Sequence, residues 1–160
     1  MPLTTALIEP GPERLSLQWS LPATPAHAWW GLTDPEALPQ WMGTITSGKF
    51  ALGNEVTVQH AENYSCISNV LDYVPEALLS MTWKFVDEPL SRLRIELTPD
   101  RNSTRLALTH EGLGEETAHY LPGWQTHLLY LEDLLRGCPR PMTDFWSTYE
   151  GLQNADTVQA

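Results

Sequence analysis

Cysteine is scarce in this 160-residue sequence: Cys66 and Cys138 stand far apart with no C-x-x-C pairing, which argues against a disulfide framework and against a thiolate zinc cluster. Two reduced thiols fit a cytoplasmic protein. Positive charge is scarce as well. Nine Lys plus Arg against twenty Asp plus Glu leave a formal net charge of −11, which repels phosphate backbones and anionic lipid, so nucleic acid is not an expected partner. No apolar run approaches the roughly 20 residues that a bilayer crossing needs, so membrane insertion is not expected. Residues 1–13 lack a basic segment followed by an apolar one, and Pro2, Pro10 and Pro12 interrupt their hydrophobicity, so no secretion signal is read. A Gly-rich phosphate loop, a nucleophile elbow and an HExxH motif are all missing, which removes the common signatures of nucleotide, acyl-transfer and metalloprotease chemistry.

What is present is globular: 42% hydrophobic and 18% charged residues, without internal repeats or a linker composition. Residues 1–160 therefore read as one domain, with a core over about 14–137 and a tail over 138–160. From Arg14 to Leu21, Leu15, Leu17, Trp19 and Leu21 alternate with polar residues, the period of a half-buried strand. Thr24 followed by Pro25 predicts a helix start, carrying Ala28, Trp29 and Leu32. Thr33 to Glu36 reads as a capping box opening a second short helix, distorted by Pro39 before Trp41.

From Thr44 to Glu111 the period becomes two, with Gly and Pro punctuation. Strands are expected around Val56 and Val58, over Tyr64 to Tyr73, through Leu79, Met81, Trp83 and Phe85, through Leu93, Ile95 and Leu97, and at Leu106 and Leu108. Ser80, Thr82, Lys84, Arg92, Arg94, Glu96 and Arg105 occupy the opposite parity, so the sheet is antiparallel with one wet and one dry face. After Gly114 the apolar spacing turns helical through Tyr120, Trp124, Leu128, Leu131 and Leu135. Pro122 either kinks this helix or starts it, and Gly137 and Pro139 stop it. Thr143 is expected to cap a last short helix bearing Phe145, Trp146, Tyr149 and Leu152, with fraying beyond Gln153.

This order predicts an α+β helix-grip fold: a curved antiparallel sheet of six to seven strands wrapped around one long C-terminal helix, with two short helices after the first strand. The ordered set of Trp30-Gly31-Leu32-Thr33-Asp34-Pro35-Glu36 with Trp41, Phe50 to Gly53, Val70-Leu71 with Pro75, Leu79 to Trp83, Thr104 to Leu113, and Gly123-Trp124 with Leu128, Leu131 and Leu135 resembles one family. It is the activator of heat-shock protein 90 ATPase homologue-like group of the START-like, polyketide-cyclase-related (SRPBCC) superfamily. The resemblance implies the helix-grip fold and a hydrophobic cavity. Pro39, Pro122 and the aromatic tail depart from the shared pattern.

The expected function is binding of a small apolar ligand between sheet and helix. Trp41, Met81, Trp83, Ile95, Leu108, His110, Tyr120, Trp124, Leu128 and Leu131 are the candidate ligand-binding residues, with plain core packing as the alternative for each. His110 ends an inward-facing strand. It is either an acid or base for a cyclase- or hydrolase-like reaction or a structural histidine, and catalysis is the second hypothesis rather than the first. His60, Tyr64 and Cys66 lack the tight spacing of a metal site, and neither a metal nor a cofactor is expected. His27 is expected in solvent, and the pairs Glu115-Glu116 and Glu132-Asp133 on solvated helix faces. A co-chaperone role comes only from the family resemblance; lacking that co-chaperone's additional N-terminal domain, the chain is not expected to have a chaperone partner. The stripe of Phe145, Trp146 and Tyr149 either docks on its own domain or forms a homodimer.

Overall fold

The structure, a computed structural model, describes residues 3–9 and 14–159, with side chains described over 14–154. Pro2, Pro10 and Pro12 lie outside the described residues. Eight strands are present: β1 Leu3–Glu9, β2 Arg14–Leu21, β3 Thr44–Ser47, β4 Glu55–Ala61, β5 Tyr64–Val74, β6 Leu78–Trp83, β7 Ser91–Asp100 and β8 Ser103–Glu111. The helices are α1 Pro25–Thr33, α2 Thr117–Leu135 and α3 Phe145–Gln159. All neighbouring strands pair antiparallel, in the order β1-β2-β8-β7-β6-β5-β4-β3. The expected α+β helix-grip architecture is the one found; the sheet is extended by β1, which carries no clean alternation in sequence, and by the short β3.

Register explains the dry face. Leu15, Leu17 and Trp19 of β2 lie opposite His110, Leu108 and Leu106 of β8, which lie in turn opposite Leu93, Ile95 and Leu97 of β7. All nine are buried, while Arg92, Arg94 and Glu96 face water. Period-two side chains on three adjacent strands thus make one continuous apolar surface, and burying it is the main driving force for closing helix over sheet.

α1 begins where expected: the Thr24 hydroxyl accepts from the His27 amide at 3.2 Å, with Pro25 in the first turn. The second short helix is corrected to a turn and one 3₁₀ turn, Leu38–Gln40. Thr33 belongs to α1 and donates to the Trp29 carbonyl at 2.8 Å, so no capping box forms; Asp34 instead accepts from the Glu36 amide at 2.8 Å, and Pro39 suits so short a turn.

α2 runs unbroken through Pro122, starting at Thr117, so the reading with a start at Pro122 is not the one observed. Pro122 lies in the second turn, where it removes one backbone donor, and the Thr126 hydroxyl donates to its carbonyl at 2.7 Å. Glu132 is not on a solvated face. It is buried against the sheet, where it accepts from the Trp19 indole N–H at 3.0 Å and from Arg136 at 3.1 Å. A charged group persists there because both partners satisfy it.

The tail is a full helix. No Thr143 cap bond forms, α3 starts at Phe145 after a 3₁₀ turn over Met142–Asp144, and helical backbone continues to Gln159 rather than fraying at Gln153. α3 packs on α2: Phe145 is buried with its ring 4.6 Å from His127 and 5.5 Å from Tyr130, and the Tyr149 hydroxyl donates to the His119 carbonyl at 3.2 Å. No helix among the described residues is long and apolar enough to cross a membrane.

Candidate functional site

Alternation carries specific side chains to one end of the sheet. On β4, His60 continues the inward parity of Val56 and Val58; beyond β6, Phe85 continues that of Met81 and Trp83, because Lys84 still bridges Ile67 as a strand residue would. Across from them α2 presents Tyr120, Gly123, Trp124 and His127 at helical three-to-four spacing. α3 adds Phe145, Trp146 and Tyr149, and the loop after β6 adds Glu88. These side chains line an open cavity of about 350 Å³, within the range of sites that hold small organic molecules.

Its walls are largely aromatic. Trp83 and Trp124 meet with ring centroids 5.4 Å apart, and Tyr64 stacks on Phe85 at 4.4 Å. His60 sits 5.0 Å from Phe85 and 6.1 Å from His127. His127 Nδ1 lies 2.8 Å from the Trp41 carbonyl, which can only accept, so the proton is on Nδ1 and the neutral ring keeps a lone pair on Nε2. His60 Nε2 is buried without a hydrogen-bond partner. Burial, with His127 as a second cause, lowers the His60 pKa to about 3, and burial lowers that of His127 to about 4. Both rings are therefore neutral at physiological pH.

The rim is acidic. Tyr120 accepts from the Trp83 indole at 3.0 Å and donates to Glu88, while Glu116 lies 3.6 Å from His119. Burial raises the Glu88 carboxyl above its ordinary range, and the nearby Glu116 and Asp87 raise it further. Tyr64 donates to Asp87 at 2.7 Å, and the Tyr64 and Tyr120 hydroxyls are held protonated, first by burial. Among the described residues, the cavity wall has two Glu and three His and neither Lys nor Arg.

His110 lies behind this wall. Its Nδ1 accepts from the Trp124 indole at 3.0 Å, so its proton is on Nε2, which donates to the Ser91 hydroxyl at 2.8 Å; Ser91 donates on to the Trp83 carbonyl at 3.3 Å. Every donor in this chain has an acceptor. Burial lowers the His110 pKa to about 3, and the ring holds both tryptophans of the cavity wall in place.

Comparison with known proteins places this geometry in a family. The model of the Activator of Hsp90 ATPase homolog 1-like protein family matches residues 22–136, most of the chain. The chain belongs to that family. Members of this Hsp90-activator-like group share the fold with several solved structures. CalU16 from Micromonospora echinospora is 20% identical with a TM-score of 0.76, covering 97% of this chain and 96% of its own. DynU16, from the dynemicin biosynthetic locus, is 24% identical with a TM-score of 0.72 over 79% of this chain, which spans 48% of DynU16. The Aha1 dimer from Colwellia psychrerythraea is 21% identical with a TM-score of 0.66, covering 76% and 95%. At these identities the likeness is one of fold. No curated protein matches this chain by sequence.

Within this member of the Hsp90-activator-like family, Trp83, Tyr120 and Trp124 line the cavity. Trp41, Met81 and Ile95 border instead a void of about 30 Å³ deeper in the core, room for on the order of one water. His110, Leu108, Leu128 and Leu131 border neither and pack in the core. Sequence reasoning did not count His60, Phe85, Glu88, Glu116, His127, Phe145, Trp146 and Tyr149 among the ligand-binding residues, yet all of them line the cavity. Strand parity marks His60 and Phe85, and helical spacing from Trp124 marks His127. Glu88 lies in a loop without period, and the stripe of Phe145, Trp146 and Tyr149 marks a helix face without saying what that face meets. Glu116, expected in solvent, is half-buried on the rim, whereas His27 is exposed as expected.

Proposed function

We propose that this protein binds a small, largely apolar molecule in the cavity between the sheet, α2 and α3. The observation that carries the reading is the cavity of about 350 Å³ walled by Trp83, Trp124, Phe85 and Phe145, where ring faces supply contact area at little conformational cost. Trp83, Tyr120 and Trp124 contact the ligand in this reading, and His110 positions Trp124. The closed hydrogen bonding of His110 supports a positioning role over proton transfer, so a bound compound is recovered unchanged. The DynU16 locus, a biosynthetic one, agrees with a small-molecule role. The docking of Phe145 and Tyr149 on α2 supports a tail that completes the cavity of its own chain rather than pairing two copies.

Native mass spectrometry of the purified protein, followed by identification of whatever travels with it, tests this. A stoichiometric small-molecule adduct is expected, and Trp146→Ala, a change at a 65% exposed ring on the cavity wall, weakens its retention without lowering Tm. Retention indifferent to Trp146→Ala and to Trp83→Phe would remove the cavity as the site.

A further inference from the structure

The cavity combines two features that purely apolar pockets do not. Its rim holds the carboxylates of Glu88 and Glu116, with Asp87 adjoining through Tyr64, and its wall presents the rings of Tyr64, Trp83, Tyr120 and Trp146. No cationic side chain of Lys or Arg enters it among the described residues. Lys84 is not part of the wall, but its ammonium donates to the carbonyls of Phe85 and Glu88 and is close enough to act on the Glu88 carboxyl. His119 is tied to Glu116 and is mostly exposed. Glu88 and Glu116, with Asp87 beside them, thus outnumber the single ammonium near the rim, and the wall is built of aromatic rings, whose faces attract cations.

We infer that the occupant is an organic cation: an amine or quaternary ammonium on a flat apolar body, its charged head at the Glu88–Glu116 rim and its body against Trp124, Phe85 and Phe145. This deepens the proposed function and rests on it. Carboxylates and ring faces act on one head group together, since a ring attracts a cation and the carboxylate neutralises it where water is thinned out. A neutral ligand would leave the carboxylates repelling one another at the rim, and an anion would add to that repulsion. The neutral imidazoles of His60 and His127 at the inner wall add no opposing charge and suit the uncharged end of the body.

The test compares benzyltrimethylammonium with neopentylbenzene, its uncharged isostere, by tryptophan fluorescence titration, in the wild-type chain and in Glu88→Gln/Glu116→Gln. The cation is expected to bind at least tenfold tighter than the isostere to the wild type, and the double variant to lose that preference while binding the isostere as before. Unchanged isostere binding also reports that the variant's cavity is intact. Equal affinity of the two probes for the wild type would overturn the cation inference and leave the apolar-ligand reading standing. Binding of neither would overturn both.

Discussion

At the scale of single residues, the buried His110 and Glu132 are each matched to their own partners. His110 is flanked across the sheet by Leu15 and Leu93, a setting that suits leucine, yet its two nitrogens bind Trp124 and Ser91. A buried polar group costs little when paired and much when orphaned. His110→Ala therefore strands the Trp124 indole N–H and opens a void behind the cavity wall. The expected loss is about 3 kcal/mol or more of unfolding free energy, measured by urea denaturation. A loss under about 1 kcal/mol would mean that His110 does not hold the wall. Glu132 follows the same logic between Trp19 and Arg136. Neither pairing is visible in sequence, because Trp19 and Glu132 are far apart in the chain and parity says nothing about which indole meets which carboxylate.

At the scale of elements, the hairpins are governed by backbone geometry. Gly48, just after β3, has φ +77°, and a Cβ there would lie 2.1 Å from the Glu55 carbonyl oxygen. Gly53 shares the left-handed conformation at φ +81° but faces open space. Alanine at either position meets conformational strain, and only at Gly48 does it also collide with the backbone of β4. Gly53→Ala is expected to cost about 1 kcal/mol and Gly48→Ala about twice that or more. Thermal unfolding of the pair measures the difference, and equal shifts would show that the β3–β4 connection gives way freely. Periodicity located the strands of the meander, β2 and α2, because each buries one face. It did not find β1 or the short β3, whose residues offer no clean alternation, and it shortened α3, whose second half is mostly polar in sequence.

At the scale of the molecule, one buried imidazole, His110, and two half-buried ones, His60 and His127, couple stability to pH. His60 and His110 are held at about 3 and His127 at about 4, against about 6.5 for an unfolded histidine. Below pH 6.5 the unfolded chain takes up protons that the folded chain refuses, so stability is full above that value and falls as pH drops toward 4. Each imidazole contributes a slope of up to about 1.4 kcal/mol per pH unit in that window. Glu88, raised by burial, acts in the opposite sense, but one half-exposed carboxyl does not cancel three imidazoles. Tm is expected to fall steeply between pH 6.5 and 4.5, and less steeply in His60→Phe, which removes a ring nitrogen that has no partner. Parallel profiles for the two chains would show that His60 is not one of the groups responsible.

Amphipathic period alone determined the sheet, its dry face and the covering helix, since local spacing dictates which side of an element avoids water. Tertiary structure alone decided which of the inward residues touch space and which touch each other. Leu108, Leu128 and Leu131 share the parity or stripe of the cavity residues and are nonetheless packed solid, whereas Glu88 reaches the cavity from a loop and the α3 aromatics from a helix whose docking place the sequence does not specify. A cavity forms where large rings from several elements fail to fill the volume between them, and that mismatch depends on distances between segments far apart in the chain.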